Sequence, residues 1–256
     1  MEFLTSIDLP NLVPLATILC AGIFIQSAAG FAGGLLIVPA LLWYGYSIPA
    51  AQCALLVATI PQNILGVVNL RDTISPKRIV WPAFGRLLFL PLGAWMLTSV
   101  EKLDAVTIRQ IVGSFVLAAT IAIMVVRPKP RQSLNPIWGL LAFPISGFFQ
   151  GLVGMGGSMM VFWVQAHDWS SRRSRGFLFT MYSASILPAG VILYLFFGDQ
   201  IIAPGIAAAM TIPFLMIATF FGLRIGTAMG RERLRSVTLI LLFLMGLSGL
   251  AAPLFR

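Results

Sequence analysis

Charged residues are scarce in this chain. Of its 256 residues only 10% are Asp, Glu, Lys or Arg, whereas 59% are hydrophobic. A soluble domain carries roughly 25% charged residues, so this chain lacks the polar surface that a water-soluble fold needs. Apolar runs of eighteen or more residues recur from end to end, and each is long enough to cross a bilayer as a helix. The composition therefore predicts an integral membrane protein.

The apolar runs also lack the polar and apolar alternation of a membrane β-barrel. Open sheets are excluded because lipid cannot satisfy their unpaired edges. We therefore predict an all-α polytopic membrane protein, with the bilayer as its main partner. Its apolar stretches are approximately residues 11–43, 50–69, 79–98, 106–126, 136–166, 177–197, 204–228 and 236–254.

Acidic residues, histidine and cysteine are rarer still, with eight, one and two copies. Cys20 and Cys53 lie in apolar runs without metal or redox spacing. No carboxylate lies in the middle of an apolar stretch, which leaves no obvious carboxylate proton carrier. A hydrolase pair of Ser158 and His167 is disfavoured, since the predicted topology separates them by about 13 Å along a helix. We predict no enzyme, no cofactor and no metal site.

Basic residues are less scarce, and 17 Lys and Arg give a formal net charge of +9. In a soluble protein this charge would suggest nucleic acid. Here twelve basic residues fall in four connections between apolar stretches, which is typical of cytoplasmic loops. No nucleic-acid partner is therefore expected. The twelve residues are Arg71, Lys77, Arg78, Arg127, Lys129, Arg131, Arg172, Arg173, Arg175, Arg231, Arg233 and Arg235.

Two apolar stretches, 11–43 and 136–166, are too long for a single crossing, which needs about twenty residues. If every stretch crossed once, the four basic connections would be divided between the two sides. If both long stretches fold back as hairpins, all twelve basic residues fall on one side, as the positive-inside rule requires. We therefore predict two hairpins, with the basic connections cytoplasmic. The N-terminus and residues 44–49 and 99–105 are then periplasmic.

The chain also shows signs of internal duplication. Each half, 1–127 and 128–256, would contain a hairpin plus three crossings, an odd number, so the second half would be inverted within a single membrane domain. Inverted repeats with broken helices near mid-membrane recur in secondary transporters. Chance similarity between two Gly-rich segments is the alternative. The residues that match at an offset of 124 are Phe24 with Phe148, Gln26 with Gln150, Gly30 with Gly154, and Gly33 with Gly157.

A glycine cluster lies inside each long stretch, in FIQSAAGFAGG at 24–34 and FFQGLVGMGGS at 148–158. A helix that turns inside the membrane leaves amide groups without partners. Glycine permits the turn and lets a ligand approach the backbone, and helix N-termini attract anions. Close helix packing is the alternative role for such glycines. Because the clusters are paired, we favour an anion site near mid-membrane.

Arg86 lies seven residues into a crossing, about 10 Å deep at 1.5 Å per residue. Charged residues at such depth are usually functional, although a side chain that extends back to the headgroups is the alternative. Other candidates are polar residues beside Pro61 and Pro188. The predicted substrate-binding residues are Gln26, Gly30, Phe31, Gly33, Gly34, Asn63, Arg86, Gln150, Gly154, Gly156, Gly157, Ser158, Thr180 and Ser183.

The two clusters carry a family resemblance. GFAGGLLIVP at 30–39 and GLVGMGGS at 151–158 resemble the GFGGG-like and GxxGxGGG-like motifs of the TauE/SafE, or sulfite exporter, family. Ala32 and Ser158 stand where that family has glycines, and Phe162 and Trp163 follow the second motif without its usual proline.

The resemblance spans nearly the whole chain, and it implies a transporter in the bacterial inner membrane that exports sulfite or an organosulfur anion such as sulfoacetate. A passive anion channel and an importer of a related oxyanion are the alternatives. The sequence determines neither direction, coupling ion nor oligomeric state, and it leaves a homo-oligomer open.

Overall fold

The computed structural model describes residues 9–73, 75–126, 131–228 and 231–255. In these residues the chain is almost entirely helical, with one isolated β-bridge and no strand. Six helical segments of the described part are long and apolar enough to cross a membrane. The predicted class of all-α polytopic membrane protein is confirmed. The helices are α1 Leu9–Ala29, α2 Gly33–Trp43, α3 Ile48–Leu70, α4 Pro76–Val100, α5 Ala105–Val125, α6 Pro136–Val153, α7 Gly157–Gln165, α8 Ser171–Phe197, α9 Ile202–Met210, α10 Ile212–Ala228 and α11 Arg231–Leu250.

Polar residues at the membrane surfaces begin several long helices by capping their first amides. Ser47 caps α3, Asn135 caps α6 and Ser170 caps α8. Asp104 caps α5, and the hydrogen bonds that it accepts from Thr107 lower the pKa of its carboxyl. Such caps satisfy amides that have no partner within the helix. They place these helix starts at polar connections and not in lipid.

Both overlong stretches are hairpins, as the charge distribution predicts. In the first, a β-carbon at Gly22 of α1 would lie 2.6 Å from Cδ1 of Ile37 in α2. That contact requires the chain to reverse between them. In the second, the amide of Arg131, before α6, donates to the carbonyl of Ala166, after α7, at 3.0 Å. Both ends of the second hairpin therefore lie on the same face.

Contacts between connections define the two faces of the molecule. On the first, which we call the basic face, Arg172 pairs with Asp72 at 3.1 Å and the amide of Asp168 donates to Arg131. On the second, the acidic face, Glu101 accepts a hydrogen bond from the amide of Ile48 at 3.0 Å. Burial raises the pKa of the Glu101 carboxyl, and this hydrogen bond partly opposes the shift. The predicted grouping of these connections is thus present.

Which face is cytoplasmic stays a prediction, as does the periplasmic N-terminus, because residues 1–8 lie outside the described residues. Two of the twelve basic residues used in the argument also lie outside the described residues, and the side chains of three others are not described. These five are Arg127 and Lys129, and Arg231, Arg233 and Arg235.

Two boundaries differ from the sequence prediction. The stretch 204–228 is not one helix but is divided at Thr211 into α9 and α10, where Pro213 cannot donate a hydrogen bond to the preceding turn. The basic connection 168–175 is also shorter than predicted, because α8 begins at Ser171. Arg175 therefore belongs to the first turns of α8.

Equivalent positions of the two halves make equivalent contacts. The extensive helix pairs include α4 with α6, α1 with α10, α5 with α11 and α3 with α8. In the first pair, Gly93 packs against the carbonyl of Phe148, and in the second, Gly222 packs against the carbonyl of Phe24. Phe24 and Phe148 are matched residues of the proposed duplication. These contacts support a two-fold arrangement, while the inverted relation and the division at residue 127 stay predictions.

Candidate functional site

Each hairpin turns at a glycine with left-handed backbone. Gly30 has φ 82° and Gly154 has φ 72°, a conformation that is free of strain only for glycine. The two residues occupy matched positions. The hairpin tips are therefore built in the same way, and each is followed within three residues by a new helix, α2 or α7.

The two tips meet inside the protein. A β-carbon at Gly34 would lie 2.9 Å from the carbonyl oxygen of Gly154 and 3.8 Å from Cα of Met155. A side chain at Gly34 would therefore separate the tips. A hydrogen bond joins α3 to the second hairpin near this contact. The side-chain amide of Gln52 donates to the carbonyl of Gly151 at 3.4 Å.

The first amides of α2 and α7 have no side-chain cap among the described residues. This contrasts with the capped helices at the membrane surfaces. Uncapped amides at a helix N-terminus carry partial positive charge and can donate to an anion. Gly33 and Gly157, the first residues of these two helices, both line an internal cavity.

The cavity lies between the tips and has a volume of about 60 Å³. Drug-sized ligands occupy roughly 300–1,000 Å³, so this space suits only a small ion or a few water molecules. Most of the residues predicted from sequence line it. These are Gln26, Phe31, Gly33, Gly34, Asn63, Arg86, Gln150, Gly154, Gly157 and Ser158.

Four predicted residues lie outside this lining. Gly30 forms the first turn. Gly156 accepts a hydrogen bond from the hydroxyl of Ser146 at 2.7 Å, behind the second tip. Thr180 donates to the carbonyl of Gly176 within α8, and the hydroxyl of Ser183 is buried without a partner among the described residues.

The predicted set lacks several residues that line the cavity. Of the polar ones, Thr59 lies one turn before Asn63, and Tyr182 and Ser185 lie within two turns ahead of Pro188. Helical spacing from Asn63 would have found Thr59. Of the apolar ones, Ala32 and Met155 lie inside the two glycine clusters, and no sequence signal singles out the others, which are Leu35, Leu55, Leu56 and Ile186.

Arg86 of α4 lies entirely within the protein, with 1% of its surface exposed. Its guanidinium donates to Oε1 of Gln150 at 3.0 Å and to the sulfur of Met160 at 2.7 Å. Its central carbon lies 5.7 Å from the centre of the Tyr182 ring, and its Nε has no partner among the described residues. The side chain therefore points into the protein and does not reach the headgroups.

The positive charge of Arg86 has no acidic partner among the residues that the structure describes. The ion pair found in the described residues, between Arg172 and Asp72, lies at the basic face and does not involve Arg86. A buried charge without a counter-ion is costly. The cavity thus combines an uncompensated cation with two uncapped helix N-termini, an arrangement that favours a small anion.

Ala32, at the first tip, is strained. It has φ 84°, and left-handed backbone costs a residue with a β-carbon about 1–2 kcal/mol. Glycine avoids that cost, but it lowers the free energy of unfolding by about 0.5–1 kcal/mol because its backbone loses more conformational entropy on folding. We expect Ala32→Gly to raise the free energy of unfolding by up to about 1 kcal/mol, measured by denaturant unfolding in detergent.

The matched control is Ala184→Gly, at an exposed position inside α8. Glycine there should lower stability by about 1 kcal/mol, because the backbone is helical. Equal destabilisation by the two substitutions would show that Ala32 is not strained.

The family model described as Sulfite exporter TauE/SafE matches residues 15–249. No curated protein and no solved structure shows a significant match to the chain. The matched region contains the first hairpin from residue 15 onward, the whole second hairpin and every residue that lines the cavity. This chain belongs to the TauE/SafE sulfite exporter family.

Proposed function

We propose that the protein exports a small sulfur-containing oxyanion, either sulfite or a short organosulfonate, from the bacterial cytoplasm across the inner membrane. Membership of the family makes it a membrane transporter of sulfite or related anions. The direction, the substrate and its binding in the cavity between the hairpin tips belong to the proposal.

One observation carries the proposal, namely the buried charge of Arg86 at a cavity with no carboxylate near it among the described residues. Two unit charges 4 Å apart attract by about 4 kcal/mol at an effective dielectric of 20. An anion that entered the cavity would therefore offset the cost of burying Arg86. The uncapped amides at Gly33 and Gly157 would add to this attraction.

The lining combines hydrogen-bond donors with apolar side chains, which supports an anion that has oxygens together with a part that carries none. Arg86 lies beside Tyr182, and a β-carbon at Gly157 would be 2.7 Å from the Tyr182 hydroxyl, so these donors lie together. Leu35 and Leu55 add apolar surface from α2 and α3, the helices that also supply Gly33 and Asn63. Sulfite and sulfonates present three oxygens on one side of sulfur and a lone pair or a carbon on the other. Sulfate has oxygens on every side and should fit less well.

The test is a panel of anions offered to the purified, reconstituted protein. We expect sulfite and short sulfonates to bind by calorimetry and to cross proteoliposome membranes, and sulfate to bind more weakly. A carrier should show saturable flux and counterflow, whereas the channel alternative predicts neither. Export predicts that producing the protein lowers cellular sulfite, and import predicts the opposite. The proposal is wrong if no anion of the panel binds or crosses.

A further inference from the structure

Helices α3 and α8 pack side by side in opposite directions, and two contacts fix their register. Asp72 pairs with Arg172 just beyond the end of α3 and at the start of α8. One to two turns deeper, Gly66 contacts the ring of Phe179. Residues four positions apart share a helix face, so Gln62 lies at the height of Ser183.

The same register places the next pair, Asn63 and Tyr182, at the cavity, and both residues line it. Gln62 and Ser183 therefore lie beside the cavity, and the contact of Phe179 with Gly66 lies between these residues and the basic face. We call the strip between the two helices, from Gln62 and Ser183 past Phe179 to Arg172, the α3–α8 seam.

Polar groups in the seam are buried without partners. Gln62 is 2% exposed, and neither its side-chain oxygen nor its nitrogen has a hydrogen-bond partner among the described residues. The side-chain oxygens of Asn63 and Ser183 likewise have none. Such groups are costly unless water or a ligand satisfies them. A group of them beside the cavity, at the inner end of the seam, indicates a path for a polar species between the two helices.

The path is closed on the side of the basic face. The ring of Phe179 packs directly on Gly66. A β-carbon added at Gly66 would lie 2.9 Å from Cε2 of Phe179 and nearer still to other atoms of the ring. Phe179 is 7% exposed. Beyond it lie Arg172 and Asp72, whose side chains are each 60% exposed.

We propose that the α3–α8 seam is the route by which an anion passes between the cavity and the basic face, and that Phe179 seated on Gly66 is its closed barrier. The identity of the anion rests on the proposed function, but the barrier does not. Gly66 lets the ring close on the backbone of α3, and Arg172 places positive charge where an anion would enter.

The test measures access to Ser183 in a chain with Cys20→Ala and Cys53→Ala. A Ser183→Cys variant is treated with a membrane-impermeant methanethiosulfonate in vesicles of both orientations. A reporter variant, Ser133→Cys in the exposed connection before α6, shows which orientation exposes the basic face. Adding Phe179→Ala should accelerate labelling from the basic face about tenfold or more, because labelling would no longer require local opening.

The matched control is Phe177→Ala, two residues away on α8. Phe177 packs against Trp163 and Trp169 and not on Gly66, so its loss should not accelerate labelling. The barrier is refuted if Phe179→Ala has no greater effect than Phe177→Ala, or if labelling is faster from the acidic face. If the Ser183 variant does not fold, Gln62→Cys on the facing helix carries the same test with the same outcomes.

Adding sulfoacetate separates this inference from the proposed function, because a sulfonate does not react with a methanethiosulfonate as sulfite does. Protection of the cysteine by sulfoacetate in the Phe179→Ala background supports both. Faster labelling without protection keeps the seam and removes this sulfonate as the substrate. Sulfoacetate binding without faster labelling keeps the substrate and removes the seam.

Discussion

Arg86→Gln should sharply weaken anion binding and yet leave the empty protein at least as stable as the native chain. Removing one partner of a buried charge pair costs about 2–5 kcal/mol, which corresponds to a loss of affinity of roughly thirtyfold to several thousandfold. The free energy of unfolding of the empty protein should not fall, because the native chain buries the Arg86 cation without an acidic partner among the described residues. Glutamine keeps a hydrogen-bond donor but removes the charge.

Two measurements check this expectation. Calorimetry with sulfite gives the affinity, and thermal unfolding with and without sulfite gives the stability. A ligand at one hundred times its Kd stabilises the folded state by about 2.7 kcal/mol, and at the same sulfite concentration this shift should fall to about a third of that value or less in the variant. Arg78→Gln is the matched control, since Arg78 is exposed in the first turn of the same helix. It should bind sulfite as the native protein does.

A purely structural role for Arg86 makes the opposite prediction. Its bonds to Gln150 and Met160 join α4 to α6 and α7. If these bonds serve only to hold the helices together, Arg86→Gln will lower the unfolding temperature and leave the affinity of the folded protein unchanged. That pair of results would contradict the anion site.

The hairpins could be predicted because they depend on quantities that a sequence displays directly. Residues 11–43 and 136–166 are too long for one crossing, and only hairpins bring the basic connections to one side. The turns at Gly30 and Gly154 could be expected from composition for a similar reason, since left-handed backbone excludes most other residues. Local chemistry and membrane thickness set these features.

The orientation of Arg86 could not be predicted, because it depends on contacts between residues far apart in sequence. A helix wheel does not show that α6 and α7 supply Gln150 and Met160 to its guanidinium. The contact of Tyr182 with Arg86 was not predicted for the same reason, since only the packing of α8 against α4 brings its ring to the guanidinium. The helix break at Thr211 could have been predicted, because Pro213 is a local signal for it. It was missed because residues 204–228 form one continuous apolar stretch.

Gly157→Leu should eliminate binding and transport, whereas Gly190→Leu should leave both intact. A β-carbon at Gly157 would lie 2.7 Å from the hydroxyl of Tyr182, and the residue lines the cavity. A leucine side chain would therefore fill space that the anion needs and displace the tyrosine. At Gly190, on the same helix as Tyr182, nothing lies within 4 Å of the added carbon. Gly33→Leu should act as Gly157→Leu does, because its side chain would displace that of Gln26.

A smaller substitution separates loss of the site from general damage to packing. In Gly157→Ala the new methyl group conflicts with the hydroxyl of Tyr182, but the nearest ring carbons are 3.5 Å away, an ordinary contact. Adding Tyr182→Phe should therefore restore the unfolding temperature that Gly157→Ala lowers, and the two substitutions should be strongly non-additive. Sulfite affinity should stay low in the double variant, since the methyl group still occupies the cavity and the hydroxyl donor is gone. If affinity returns together with stability, Gly157 serves helix packing alone and the anion binds elsewhere.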